Sequence, residues 1–348
     1  QIKTITINSE SLKNNLLNDP SDRQVAVYLP PNWDKNEKEY PLLVDLVGYT
    51  GSGFAHTNWK PFQESVPQRI ERLIEEGEMG EVIVALPDCF TSLGGNQYIN
   101  SPAVGNWADF LIKEMIPKIE DLFPVKKGGE NRGVFGKSSG GYGSMVHGML
   151  YGNEWGAIAC HSGDMGFDSL FLGDFPKTVV HLEKHGGLQG FLDYVEDVKK
   201  LKGLDFHVLM MVAMGAFYDP DMSAPMGISI PVNLKTCVVN EERWSAWLNH
   251  DPVHMIEKED VQANLSKLRG LYIDCGFRDQ YNLHFGSRQL VEKLEKLGIT
   301  HFYEEFDDTH SSIDYRMNKS LPSVSYTHLR AHETREDLGC RRVVEKKK

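Results

Sequence analysis

The sequence predicts an α/β protein built on a mostly parallel, eight-stranded sheet with helices on both faces and one inserted segment. Three observations carry that reading. Strand-like and helix-like runs alternate through most of the 348 residues. A glycine-rich turn joins one short apolar run to a helix-capable one, and a stretch at residues 165–265 breaks the alternation. Length alone does not force two domains.

The strand-like runs are ITI at 5–7, RQVAVYL at 23–29, PLLVDLV at 41–47, EVIVALP at 81–87, RGVFG at 132–136, AIAC at 157–160, LYIDC at 271–275 and HFYEEF at 301–306. Between the fourth and fifth, Trp107, Leu111, Met115, Ile119 and Leu122 recur every three or four residues, which puts one apolar stripe on a helix facing the sheet. Leu290, Leu294 and Leu297 do the same before the last strand. Residues 1–164 and 266–323 are thus expected to form the core, and 165–265 a cap over one end of the sheet. That segment holds 7 of the 12 methionines, with Met210, Met211, Met214, Met222 and Met226 close to Phe217 and Tyr218. Flexible thioethers suit an adaptable apolar pocket and equally suit filling an irregular core, so both readings stay open.

Composition excludes several classes. No apolar run reaches the roughly 18 residues of a membrane helix, and 37 Lys and Arg against 49 Asp and Glu give a net charge of −12 that repels a phosphate backbone. Neither a membrane nor a nucleic acid is an expected partner, and the oligomeric state, a homodimer included, stays open. The last 25 residues, from Val324, lack apolar periodicity, and VSYTHLRAHET resembles the translation of a transposase-type sequencing adapter. Residues 324–348 are therefore expected to be foreign sequence. They contribute 7 Lys and Arg but only 4 Asp and Glu, so the chain before them is more acidic still. Cys89, Cys160, Cys237 and Cys275 are widely spaced and mostly set in apolar runs, as buried thiols are. The chain begins at Gln1 without a charged-then-apolar leader, which leads to an expectation of a cytoplasmic protein.

The chemistry is written most clearly in Gly136-Lys137-Ser138-Ser139-Gly140, a G-x-S-x-G turn set between a short apolar strand and the helix-capable run 142–151. A bare match means little; the strand-turn-helix setting is what makes Ser138 a candidate nucleophile rather than part of an ordinary glycine-rich turn. A serine hydroxyl needs a neighbouring base and pre-aimed donors for the oxyanion it creates. The Ser139 backbone N–H, at a helix N-terminus, is one candidate donor. The Tyr49 N–H is the second, in LVGYTGSG after the third strand, where Gly48, Gly51 and Gly53 keep the backbone accessible. His310 lies just past the final strand and is the candidate base, whereas His301 opens a strand and His284 falls inside a helix-like run. Asp279, on the loop after LYIDC, is the candidate acid that orients it, and Asp274 within the strand reads as structural. Asp307 and Asp308 lack the spacing and third ligand of a metal site and are expected to form a solvated loop that raises the basicity of His310.

With these residues in place, the chain resembles the putative-esterase family of α/β-hydrolases, which includes enterochelin-esterase-like proteins, S-formylglutathione hydrolases, feruloyl and acetylxylan esterases and mycolyltransferases. The similarity runs from about Ile5 to Arg316. It rests on RQVAVYLPPNW, YPLLVDLVGYTGSG, PDCFTSLGGNQYINS, GKSSGGYGSM, CHSGDMGF, DCGFRDQYNLHFGSR and FDDTHSSIDYRM. It implies an α/β-hydrolase fold and the same set of Ser138, Asp279 and His310 with Tyr49 and Ser139 as backbone donors. One departure is that many relatives carry His-Gly where this chain has Val47-Gly48. The resemblance also places the loop after the fourth strand near the active site, making Asn96, Gln97 and Tyr98 candidate substrate contacts, with a purely structural role the alternative.

The expected function is a serine carboxylesterase acting on small neutral esters through an acyl-enzyme, without metal or organic cofactor. An acyltransferase or a peptidase on the same triad, or a silent scaffold, would be told apart by an acceptor alcohol, amide cleavage or inactivity. Because His310 must be neutral to accept a proton, activity should rise with pH through about 6 to 8.

Overall fold

Every one of the eight strand-like runs becomes a strand of one sheet: β1 (Ile2–Asn8), β2 (Asp22–Tyr28), β3 (Leu42–Leu46), β4 (Ile83–Pro87), β5 (Arg132–Lys137), β6 (Ala157–His161), β7 (Gly270–Gly276) and β8 (Phe302–Phe306). The computed structural model describes residues 1–35 and 37–329. The strands lie in the order β1-β2-β4-β3-β5-β6-β7-β8. β2 pairs antiparallel with β1 and β4, and every pair from β4-β3 onward is parallel. The sheet is therefore mixed at one edge and parallel through its centre.

Side-chain alternation explains why helices cover both faces. In β3, Leu42, Val44 and Leu46 belong to one buried cluster while Leu43 belongs to another. In β4, Ile83 and Ala85 face the first cluster and Val84 and Leu86 the second. The smaller cluster is completed by α1 (Val66–Glu75) and by α5 (Met317–Leu329) through Val66, Ile70, Leu73, Met317, Leu321 and Val324. The larger takes in α2 (Ser139–Leu150), α3 (Gly203–Tyr218) and α4 (Leu283–Leu297). Of the segment 324–348 expected to be foreign, residues 324–329 continue α5 and 330–348 lie outside the described residues.

The stripe beginning at Trp107 is helical, but with a π-helical turn at Phe110–Met115 between the α-helices Trp107–Asp109 and Ile116–Leu122. A spacing of four drifts around an α-helix of 3.6 residues per turn, and the wider π turn returns Trp107, Leu111, Met115 and Ile119 to one buried face. Leu122, three residues on, is 45% exposed, as is Leu297 at 43% in the last turn of α4.

Residues 165–265 fold into helices whose buried rings share the larger core. Phe171 and Phe175 pack against Trp247, with ring centroids at 5.4 and 5.8 Å. From Val208 onward α3 is apolar all round and almost wholly buried, so it lacks the polar face that marks a helix in sequence. The methionines of this segment divide between the two roles left open: Met211 and Met214 in α3 are core, Met210 lines a cleft, and Met222, beyond the helix, is exposed. Cys89, Cys160 and Cys275 are buried free thiols, while Cys237 is half-buried and also free. No described helix is long and apolar enough to cross a membrane.

Two glycines set how closely α2 approaches the sheet. A Cβ on Gly140 would lie 1.8 Å from the Leu46 carbonyl oxygen, and one on Gly136 2.3 Å from it. Gly140→Ala is accordingly expected to lower stability by about 2–3 kcal/mol in thermal or urea unfolding. An unchanged transition would show that the contact between β3 and α2 is looser than described.

Candidate active site

Ser138 sits where β5 turns into α2, with φ +57° and ψ −126°. A non-glycine residue in that region costs roughly 1–3 kcal/mol and persists only where its surroundings enforce it. Here the Ser138 N–H donates to the His161 carbonyl at 2.9 Å, and its own carbonyl accepts the Tyr142 N–H at 2.8 Å. The strained turn lifts the Ser138 side chain to the wall of a cleft of about 550 Å³.

His310, on the loop after β8, lines the same cleft. Its Nδ1 lies 2.8 Å from Asp279 Oδ2, and its backbone N–H donates to Gln280 Oε1 at 3.0 Å. The Tyr281 ring meets the imidazole edge to face at 4.9 Å. Asp279 is buried, and its Oδ1 accepts the Tyr281 N–H at 2.8 Å. An imidazole that donates from Nδ1 to a carboxylate keeps its lone pair on Nε2, the form a general base requires. The structure thus brings Ser138, Asp279 and His310 together from three separate strand ends.

The loop holding Tyr49 borders the nucleophile. A Cβ on Gly48 would stand 3.4 Å from Ser138 Cβ, and Val47, Gly48, Tyr49 and Thr50 all line the cleft. The Tyr49 hydroxyl donates to the Leu93 carbonyl, and Gly95 lies so close beneath that a Cβ there would come within 2.2 Å of the Tyr49 carbonyl oxygen. Ser139 opens α2, where an N–H has no acceptor within the helix. Tyr49 thus lines the cleft next to Gly48, which lies against Ser138, and Ser139 follows Ser138 as the first residue of α2.

Asn96, Gln97 and Tyr98 are each almost fully buried, and none lines the cleft. Asn96 Nδ2 donates to the Cys89 carbonyl at 3.1 Å, Gln97 Nε2 to Ser139 Oγ at 2.9 Å, and the Tyr98 hydroxyl to the Val47 carbonyl at 2.6 Å. Gln97 and Tyr98 brace the helix start and loop that carry Ser139 and Tyr49, and Asn96 braces their own loop, so their contacts are those of the structural alternative. Asp307 and Asp308 lie on a solvent-facing loop. Asp307 pairs with Arg278 at 2.8 Å and Asp308 accepts the Tyr315 hydroxyl at 3.0 Å, while the carboxylate bonded to His310 is Asp279. Asp274 is buried in a separate row, bonded to His161 Nδ1 at 2.7 Å and Arg316 Nε at 2.8 Å, with His161 Nε2 2.7 Å from Ser320 Oγ. His284 lies within α4, and His301 Nδ1 bonds the Ile299 carbonyl at 2.8 Å.

Two cleft features escaped the sequence reading. One is a polar wall of His56, Lys60, Gln63, Lys137 and Asp314. His56 Nδ1 is 2.6 Å from buried Asp45, and Lys60 Nζ is 3.4 Å from Asp314. Burial pulls the His56 imidazole down, but the Asp45 carboxylate beside it more than compensates and raises it. Burial also lowers the Lys137 ammonium. The other feature is Asp164, just past β6, buried on the cleft wall with Oδ2 accepting Ser139 Oγ at 3.3 Å. Burial pushes its carboxyl up to about 6. Its place beyond the carboxyl end of a parallel strand, where α/β sheets gather their ligands, was the available signal.

The raised Asp164 carboxyl has a consequence for stability. Unfolded, it ionises near 3.8; folded, near 6, so its ionised form penalises the native state, fully above about pH 6 and not at all below about pH 4. Asp164→Asn should therefore raise stability at pH 7–8 by on the order of 2–3 kcal/mol, with the gain fading on acidification towards pH 4. A gain that is independent of pH would refute this origin.

The chain matches the family described as "Putative esterase" over residues 19–318 and belongs to it, as a carboxylic ester hydrolase of α/β-hydrolase fold. Solved structures agree on the fold. A ferulic acid esterase is 19% identical with a TM-score of 0.60, over 94% of this chain and 98% of its own. A fluorophosphonate-binding serine hydrolase from Staphylococcus aureus is 12% identical at 0.57, over 94% and 98%. An S-formylglutathione hydrolase from Agrobacterium tumefaciens is 14% identical at 0.56, over 94% and 95%.

Proposed function

We propose that this esterase is a serine carboxylesterase in which Ser138 attacks the ester carbonyl, His310 takes the proton and returns it to the leaving alcohol, and Asp279 holds the imidazole. Water then enters by the same route in reverse and frees the acyl-enzyme. The observation that carries the reading is the Asp279–His310 bond of 2.8 Å in the cleft where Ser138 is held at positive φ. The N–H groups of Tyr49 and Ser139 are the donors for the oxyanion, and losing either would cost about 10²- to 10³-fold in rate.

The residues 165–265 act as the cap, contributing Leu170, Phe171, Phe206 and Met210 to the cleft wall. Their apolar side chains, together with Leu283, suit a short acyl or alkyl group, and the acidic chain as a whole disfavours anionic substrates. Small neutral esters are the substrates this supports. The test is hydrolysis of nitrophenyl esters from acetate to decanoate. A maximum at short acyl lengths is the expected result. A maximum at decanoate would contradict the choice of small esters.

A further inference from the structure

Asp164 is a carboxylate that the hydrolytic scheme does not use. It lies on the wall of the cleft with Ser138 and His310, only 7% exposed, and its side-chain partner at Oδ2 is the Ser139 hydroxyl at 3.3 Å. The other acidic residue on the wall, Asp314, is paired with Lys60 at 3.4 Å, whereas no described cation lies within ion-pair distance of Asp164. A buried carboxylate is costly when no cation or full set of donors offsets it, and such groups gather at functional sites. Ser139 Oγ is itself held by Gln97 Nε2 at 2.9 Å, and the Gln97 side chain also bonds towards the carboxylate, so two neutral donors fix it in place. A carboxylate has room for more than two, and this one stands on the cleft wall where a ligand can supply the next.

We propose, resting on the esterase reading above, that Asp164 is a specificity residue whose carboxylate accepts a hydrogen bond from a hydroxyl on the substrate, making small uncharged esters that bear a hydroxyl the preferred class. A hydroxyl fits better than an ammonium. In the same cleft Lys60 and His56 already have their carboxylates in Asp314 and Asp45, the Lys137 ammonium opposes a further cation, and Leu170, Phe171 and Leu283 favour a neutral aliphatic frame. A hydroxyl also leaves the carboxylate charged and satisfied without adding net charge beside His310. Desolvation, which raises the Asp164 carboxyl to about 6, leaves it mostly ionised and an acceptor at pH 7–8.

The test compares ethyl 3-hydroxybutyrate with ethyl butyrate, and 2-hydroxyethyl butyrate with propyl butyrate, so that a hydroxyl on either side of the scissile bond is sampled. A hydrogen bond to a charged acceptor should give the hydroxylated member of one pair a kcat/KM about 10- to 100-fold higher. Asp164→Ala should bring that ratio towards one, and Asp164→Asn should leave an intermediate ratio. Calorimetric binding of the same esters to Ser138→Ala, with and without Asp164→Ala, reads the preference where turnover is blocked. A preference seen in binding but no Ser138-dependent turnover would therefore indict the esterase reading and spare Asp164 as a binding group. Equal handling within both pairs, or a ratio untouched by Asp164→Ala, overturns the proposal. Preference for ethyl 3-aminobutyrate, an ammonium at pH 7, over its hydroxy counterpart overturns the choice of hydroxyl.

Discussion

Replacing Ser138 by Ala is expected to lower kcat/KM for nitrophenyl esters by on the order of 10⁴- to 10⁶-fold. The reason is that Ser138 stands on the strained turn from β5 into the N-terminus of α2, against the loop of Gly48 and Tyr49, whereas Ser312, the other positive-φ serine lining the cleft, belongs to the loop of His310 itself. What remains after its removal is the transition-state binding of those donors acting on water, which is a small part of the whole. Alanine keeps the Cβ and the backbone bonds to His161 and Tyr142, so circular dichroism and thermal unfolding should match the wild type. A folded variant that retains hydrolysis within tenfold would mean that the nucleophile lies elsewhere.

Asp279→Asn should cost about 10⁴-fold, nearly all of it in kcat. Asparagine fills the same volume and its oxygen can still accept the Tyr281 N–H that now bonds Oδ1 at 2.8 Å. The position next to His310 Nδ1 would then hold an amide N–H₂, a donor facing a nitrogen that must itself donate. The imidazole is driven to the other tautomer, and the proton on Nε2 leaves no lone pair for Ser138. Steady-state kinetics with KM near that of the wild type and kcat collapsed is the expected signature. A loss confined to KM would show that Asp279 acts on substrate binding instead.

How much of this was legible depended on whether the relevant forces were local. The strands announced themselves because parallel strands covered on both faces read as continuous apolar runs, as in IVALP of β4. Ser138 was legible because its turn needs Gly136 and Gly140, whose added Cβ atoms would strike the Leu46 carbonyl oxygen. Asp279 and His310 followed from topology, each on the loop after one of the last two strands. Asp164 was not legible in the same way. Its raised carboxyl arises from burial, and its neighbours Ser139 and Gln97 come from distant parts of the chain. α3 was hidden for the opposite reason: a helix apolar on every side carries no period to detect. Asn96, Gln97 and Tyr98 show that nearness to a site in sequence order does not decide on which side of a backbone a side chain falls. Gln97 and Tyr98 turn their polar atoms to the start of α2 and the loop of Tyr49, and Asn96 ties its own loop to the Cys89 carbonyl.

The central claim is that Ser138 is the activated nucleophile, and covalent trapping tests it most directly. The protein is treated with an alkyl fluorophosphonate, digested, and the modified residue located by tandem mass spectrometry. A single adduct on Ser138, formed more slowly in Asp279→Asn and absent in Ser138→Ala, is the result this account predicts. An adduct on any other residue, or none in a preparation that hydrolyses esters, would contradict it.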